Sequence, residues 1–211
     1  MSDDSEQSSP NVTVVYTGTR APTFEHARLR VVHMPMLEAA PVDFDHKEVQ
    51  LLVKQPCTLV FYSQNSVHVV AQSGIFDAID LSNHSVWAVG EKTAEAIAAR
   101  FGVAAKTPDD ERFEGLVETF ERHSPALPAV AFGLKDSPRS LAAALAETSD
   151  VYDVPVYRTC PRLYPGLAQK LAEIDADWIA FTSPRGVATF ISQACVSNGQ
   201  SVDFNALRLA A

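Results

Sequence analysis

The chain has 211 residues, of which 46% are hydrophobic and 20% charged, enough apolar material for one large or two small packed cores. Its net charge of −9 argues against a nucleic-acid partner, because phosphate backbones are bound mainly by Lys and Arg. An anionic small molecule remains compatible, since it reads the local field and not the total.

Residues 1–10 are acidic and Ser-rich without an apolar run, which predicts a disordered tail and not a signal peptide or a membrane segment. Nothing later approaches a run of about 18 apolar residues, so no membrane partner and a cytoplasmic location are expected. Cys57, Cys160 and Cys195 are widely spaced and odd in number, which reads as free thiols in a reducing compartment. No Cys/His spacing suggests a metal site.

In chain order, Val12–Tyr16 reads as a first strand and Val31–Glu38 as a Pro-containing extended run. Thr58–Tyr62 is a short apolar run, read as a buried parallel strand, and passes at once into a helix burying Val67, Val70 and Ala71. Val86–Val89 is a strand leading through Gly90-Glu91-Lys92-Thr93 into a helix with Ala94, Ile97, Ala98 and Phe101 inward. A further helix buries Phe113, Leu116, Val117 and Phe120. Ala129–Phe132 is a strand, and Pro138 opens a helix with Leu141, Ala144 and Leu145 inward. Val151–Arg158 is a second Pro-containing extended run. Because Pro cannot donate to a central ladder, both such runs are expected as edge or linker strands. Trp178–Phe181 is likewise a short apolar run read as a buried parallel strand, followed by a helix burying Val187, Phe190, Ile191 and Ala194. Ser63 and Ser183 stand at N-cap positions, and Pro184 suits a first helical position.

A weak duplication organises these elements. Val31–Met36 aligns with Val151–Val156, Pro41 with Pro161, Phe61-Tyr62-Ser63 with Phe181-Thr182-Ser183, and Val67 with Val187, all at an offset of 120 residues. Strand alternating with helix means parallel sheets with right-handed crossovers. The expected fold is therefore α/β, with two doubly wound domains joined by a two-stranded linker around a central cleft. One domain is discontinuous, 11–35 plus 158–211, and the other, 38–155, is inserted. Parallel sheets bind ligands at the turns leading from strands into helices, here Ser63–Ser66, Gly90–Thr93 and Ser183–Gly186.

Val60-Phe61-Tyr62-Ser63-Gln64-Asn65-Ser66-Val67, Trp87–Ala94, Pro155–Thr159 and Phe181–Val187 resemble, in this order, four signatures of the uroporphyrinogen-III synthase family. Two features depart from the family pattern. The span after Val12–Tyr16 is too short for the full helix that the family places there. The chain also ends at Leu207–Ala211, like a strand arriving at its turn, so an incomplete C-terminal part is expected.

The resemblance implies a cofactor-free and metal-free lyase acting on hydroxymethylbilane, whose pyrroles all carry acetate and propionate arms. Loss of the terminal hydroxyl gives an azafulvene, a spiro intermediate follows, and re-closure inverts ring D. The resemblance makes Tyr157 the catalytic candidate, a phenol that assists hydroxyl loss as a proton or hydrogen-bond donor. Ser63, Gln64, Asn65, Gly90, Lys92, Thr93, Ser183, Pro184, Arg185 and Gly186 become the substrate-binding set, with helix N-termini as anion donors. Arg20 and Arg158 are candidates for added positive charge. A monomer, with transient contact to the preceding pathway enzyme, is the expected assembly. A second reading is a non-catalytic sensor of tetrapyrroles or other polycarboxylates on the same fold.

Overall fold

The computed structural model describes residues 12–22, 26–123, 128–145, 150–196 and 208–210. After three strands in succession, strands and helices largely alternate, and every strand pair with an assigned register is parallel. The chain separates into two compact units, Met1–Ala39 with Thr159–Ala211, and Ala40–Arg158.

In the first unit, β1 (Val12–Tyr16) is flanked by β2 (Leu29–His33) and a strand near the C-terminal end, Trp178–Ala180, which is itself paired with Arg208–Ala210. Val15 and Ile179 from this sheet, and Phe181 just after it, pack with Met34 and Met36, with Leu167 and Leu171 of the helix Leu167–Ile174, and with Phe190 of the helix Pro184–Val196. Residues 17–22 and 26–28, between β1 and β2, hold only bends and a turn, in keeping with the short span read from the sequence.

The second unit starts within β3 (Leu37–Pro41), whose first three residues belong to the first, and continues with α1 (His46–Leu52), β4 (Thr58–Phe61) and α2 (Gln64–Ser73). After β5 (Ser85–Ala88) come α3 (Glu91–Phe101), α4 (Phe113–His123), β6 (Ala129–Leu134), α5 (Leu141–Ala144) and β7 (Val151–Pro161). The remaining elements, α6 (Leu167–Ile174), β8 (Trp178–Ala180), α7 (Pro184–Val196) and β9 (Arg208–Ala210), are those of the first unit. The five-stranded order is β3-β7-β6-β4-β5. All four residues of β4 are buried, as expected of a parallel strand covered on both faces. Val60 faces Leu116, Phe120, Leu141 and Leu145. Phe61 turns the other way and stacks on Phe132, with Phe76 and Phe101 completing an aromatic cluster.

The structure corrects several expectations. Val31–Glu38 is not one run, because residues 34–36 separate β2 from β3. Val151–Arg158 is not an edge strand: β7 lies between β3 and β6. Its Pro155 pairs with Gly133 next to the register shift between Gly133 and Leu134, where Val156 is extra in the ladder. Pro138 does not open a helix; Ser140 caps α5, with its Oγ accepting from Ala143 N–H. Ala144, Ala98 and Ile191 sit at the margins of their helical stripes and are exposed, Ile191 by 47%. The proposed tail 1–10, Leu207 and Ala211 lie outside the described residues.

Candidate active site

The site grows from the corner where β4 becomes α2. Ser63 is extended (φ −163°, ψ 160°) and caps α2, its Oγ accepting from Ser66 N–H at 3.2 Å. Ser66 Oγ accepts in turn from Ser63 N–H, completing a reciprocal capping box. The Ser63 hydroxyl is thus fixed by its helix yet keeps capacity for one more partner. That partner is Tyr157, whose hydroxyl lies 3.0 Å away and whose side chain is only 7% exposed. The register shift in β6 and β7 places Tyr157 opposite Leu134, and Lys135 N–H donates to the Tyr157 carbonyl at 2.7 Å.

Behind this pair, Tyr62 fills the space above Gly133, where a Cβ would stand 2.5 Å from the Tyr62 ring. Tyr62 donates to Asp153 Oδ1 at 2.8 Å and accepts from Leu141 N–H at 3.2 Å. Asp153 Oδ2 takes bonds from Ser140 Oγ and Ala142 N–H. Burial first, then the Asp153 charge, pushes the Tyr62 phenol well above its ordinary range. This network ties β4, β7 and the start of α5 together, and so fixes the loop that carries Ser137 and Arg139.

Ser63 and Tyr157 open onto a pocket of about 340 Å³ whose walls include Glu111, Arg112 and Arg139. Arg112 is held by Asp110, through Nε to Oδ1 at 2.8 Å and Nη2 to Oδ2 at 2.5 Å. Bonding from Arg112 keeps the exposed Asp110 carboxyl below the usual carboxylate range. No carboxylate pairs with the Arg139 guanidinium among the described residues. The pocket therefore combines a hydroxyl pair with two guanidinium groups, a set suited to holding a carboxylate beside a hydrogen-bond donor.

The predicted residues distribute unevenly around this centre. Gln64 and Asn65 occupy the first turn of α2 and are half-buried. Gly90 is the N-cap of α3, extended at φ −168°, and the Glu91 N–H behind it bonds to Glu111 of the pocket wall. Lys92 does not reach the pocket; it is exposed and paired with Glu95 at 3.0 Å. Thr93 is buried at 6% exposure and is likewise not a lining residue. Arg20 and Arg158 are exposed. In the other unit, Ser183 accepts from Gly186 N–H at 3.1 Å at the start of α7. Pro184 opens that helix, and Arg185 donates to the Thr159 carbonyl at 2.9 Å. Sequence reasoning missed Tyr62, Glu111, Arg112 and Arg139. The one available signal was Asp109-Asp110-Glu111-Arg112, a charge run placed just before a helix.

Among the described residues no three His, Cys, Asp or Glu side chains converge on one point, and no helix is long and apolar enough to cross a membrane. A family model described as uroporphyrinogen-III synthase HemD matches residues 20–206. A comparison with curated protein sequences finds no match. Among solved structures, uroporphyrinogen-III synthetase from Helicobacter pylori superposes with a TM-score of 0.60 at 14% identity, over 94% of this chain and 82% of that one. A mutant uroporphyrinogen III synthase from the extremely thermophilic bacterium Thermus thermophilus gives 0.51 at 18% identity, over 94% and 83%. At such identities the structural likeness is one of fold.

Proposed function

Because the chain belongs to the uroporphyrinogen-III synthase family, we propose that it cyclises hydroxymethylbilane to the type III macrocycle with inversion of ring D and loss of water. The observation that carries this reading is the Tyr157–Ser63 hydroxyl pair, 3.0 Å apart, at a pocket lined by Arg112 and Arg139. A bilane brings many carboxylates and one leaving hydroxyl, and this pocket offers Arg139 to a carboxylate and the Tyr157–Ser63 pair to the hydroxyl.

In the proposed mechanism the pyrrole nitrogen expels the terminal hydroxyl. Tyr157 donates a hydrogen bond or proton to it, while Ser63 orients the phenol. The azafulvene is then attacked at the substituted carbon of ring D, and fragmentation and re-closure of the spiro intermediate follow. Since the free bilane closes without inversion, the protein's main contribution is to hold the two ends in one geometry. No cofactor is required by these steps. The arginines, with the N–H groups of Gln64 and Asn65 at the start of α2, are proposed to seat acetate or propionate arms. Ser183, Pro184, Arg185 and Gly186 are proposed as a further carboxylate-binding turn of their own unit.

The test is to supply hydroxymethylbilane and measure the ratio of type III to type I product. A ratio equal to that of the uncatalysed reaction refutes the catalytic reading and leaves a binding module.

A further inference from the structure

The segment before α4 sends its charged side chains to different destinations. Arg112 closes on Asp110, whereas Glu111 takes no part in that pair. Glu111 Oε2 instead accepts from Glu91 N–H, at the first residue of α3, with a separation of 3.0 Å. The extended Gly90 backbone is one any residue adopts, so what glycine supplies here is room: a Cβ would stand 2.7 Å from Glu111 Oε2. The corner is thus shaped to admit a carboxylate, and a carboxylate of the chain itself fills it. That same side chain lines the pocket shared by Ser63, Tyr157, Arg112 and Arg139.

We infer that Glu111 is an internal competitor for the substrate's carboxylate arms, one that an arm must displace from the α3 N-terminus at the wall of the pocket that Arg139 also lines, and that it thereby sets the enzyme's KM. The inference rests on the proposed function for the identity of the substrate, and on the pocket geometry for the competition. An exposed carboxylate at a helix N-terminus is held weakly, so displacement is feasible at modest cost. Its negative charge also opposes an incoming carboxylate in the pocket that Arg139 lines as well.

Glu111→Gln removes the charge while keeping the side chain's size. With hydroxymethylbilane as substrate, KM is expected to fall about two- to fivefold, the range given by one weak helix-terminus interaction, with the change in KM exceeding that in kcat. An unchanged or raised KM overturns the inference. A second measurement does not depend on turnover: benzenehexacarboxylate titrated into the isotopically labelled wild-type chain should move the Glu91 amide resonance, and bind more tightly by a similar factor to Glu111→Gln. A Glu91 resonance that stays fixed while the probe binds overturns it as well. If the wild type makes no type III excess yet Glu91 responds and Glu111→Gln binds the probe more tightly, the proposed reaction fails and the competition stands.

Discussion

Replacing Tyr157 by Phe deletes one oxygen and keeps the ring. Because the side chain is 7% exposed, the ring's packing should persist and the fold with it. The lost bond to Ser63 Oγ, at 3.0 Å, is worth about 0.5–1.5 kcal/mol of stability. Ser63 retains its bond from Ser66 N–H, so the α2 cap survives. The catalytic loss should be larger than the structural one. A positioned proton donor contributes typically 10²–10⁴-fold, and the low end applies because the pyrrole nitrogen already drives departure of the hydroxyl. Tyr157→Phe is therefore expected to lower kcat by about 10²-fold, equivalent to roughly 2.7 kcal/mol of barrier. The type III to type I ratio should stay above the spontaneous value, since positioning is retained. The assay is initial-rate kinetics on fresh hydroxymethylbilane with product isomers separated, alongside urea unfolding of both proteins. Wild-type kcat in a folded Tyr157→Phe protein would remove the phenol from the mechanism.

Three further substitutions and titrations test the scaffold under the site. Tyr62→Phe leaves Leu141 N–H without its acceptor and Asp153 short of one donor, so unfolding free energy should fall by about 1–3 kcal/mol, read from the urea midpoint. The raised Tyr62 pKa adds a pH signature: its contribution is complete below the ordinary phenol value of about 10 and is lost as pH rises beyond it, so absorbance at 295 nm should show one tyrosine titrating only as the chain unfolds. His84 behaves in the opposite sense. Burial lowers its pKa, and its Nδ1 accepts from Cys57 N–H at 3.3 Å. Stability should thus be full above about pH 6.5 and decline as pH falls through the lowered value, a loss that His84→Gln should remove from urea midpoints compared at pH 7.5 and 5.5. Gly115→Ala drives a Cβ into the Asp110 carbonyl, a backbone atom that cannot rotate away. Overpacking of this kind costs about 1–3 kcal/mol, only partly offset by about 1 kcal/mol of helix propensity, and displacement of Asp110 should also raise KM.

What could be read ahead of the coordinates follows from where each signal originates. The apolar run at Thr58–Tyr62 announces a doubly covered parallel strand because burial on both faces leaves no polar alternation, and all four residues of β4 are indeed buried. Ser63 as an N-cap was legible for a similar reason, since capping is settled within four residues. The pocket's charges were not. Glu111 reaches an N–H twenty residues earlier in the chain, and Arg139 takes its place from a loop fixed by the Tyr62–Asp153 bond, 91 residues apart in sequence. Both depend on tertiary contacts that leave no periodic trace. Pro155 misled because the rule excluding proline from inner strands carries an exception for bulges, and Pro155 stands beside the register shift at Gly133/Leu134. Ile191 and Ala98 misled because a helical stripe has margins, and spacing alone does not say how wide the neighbouring sheet is.

The acidic composition and the proposed polycarboxylate substrate are reconciled at the scale of single side chains. At physiological salt, charges more than about 8 Å apart are largely screened in solvent, so most of the net −9 is of little consequence to a ligand inside the pocket. What counts is the local set: two guanidinium groups against Glu111, with Asp110 already committed to Arg112. Arg112 is thereby a rigid wall more than a free cation, because its planar fork is satisfied by one carboxylate. Of the two arginines that line the pocket, Arg139 is the one without a carboxylate partner among the described residues, and Glu111 is the group proposed to decide how much of its charge a substrate arm encounters. Specificity for a many-armed anion then arises from a contest between internal and external carboxylates over a few backbone and guanidinium donors, which an overall negative protein can stage without a broad basic surface.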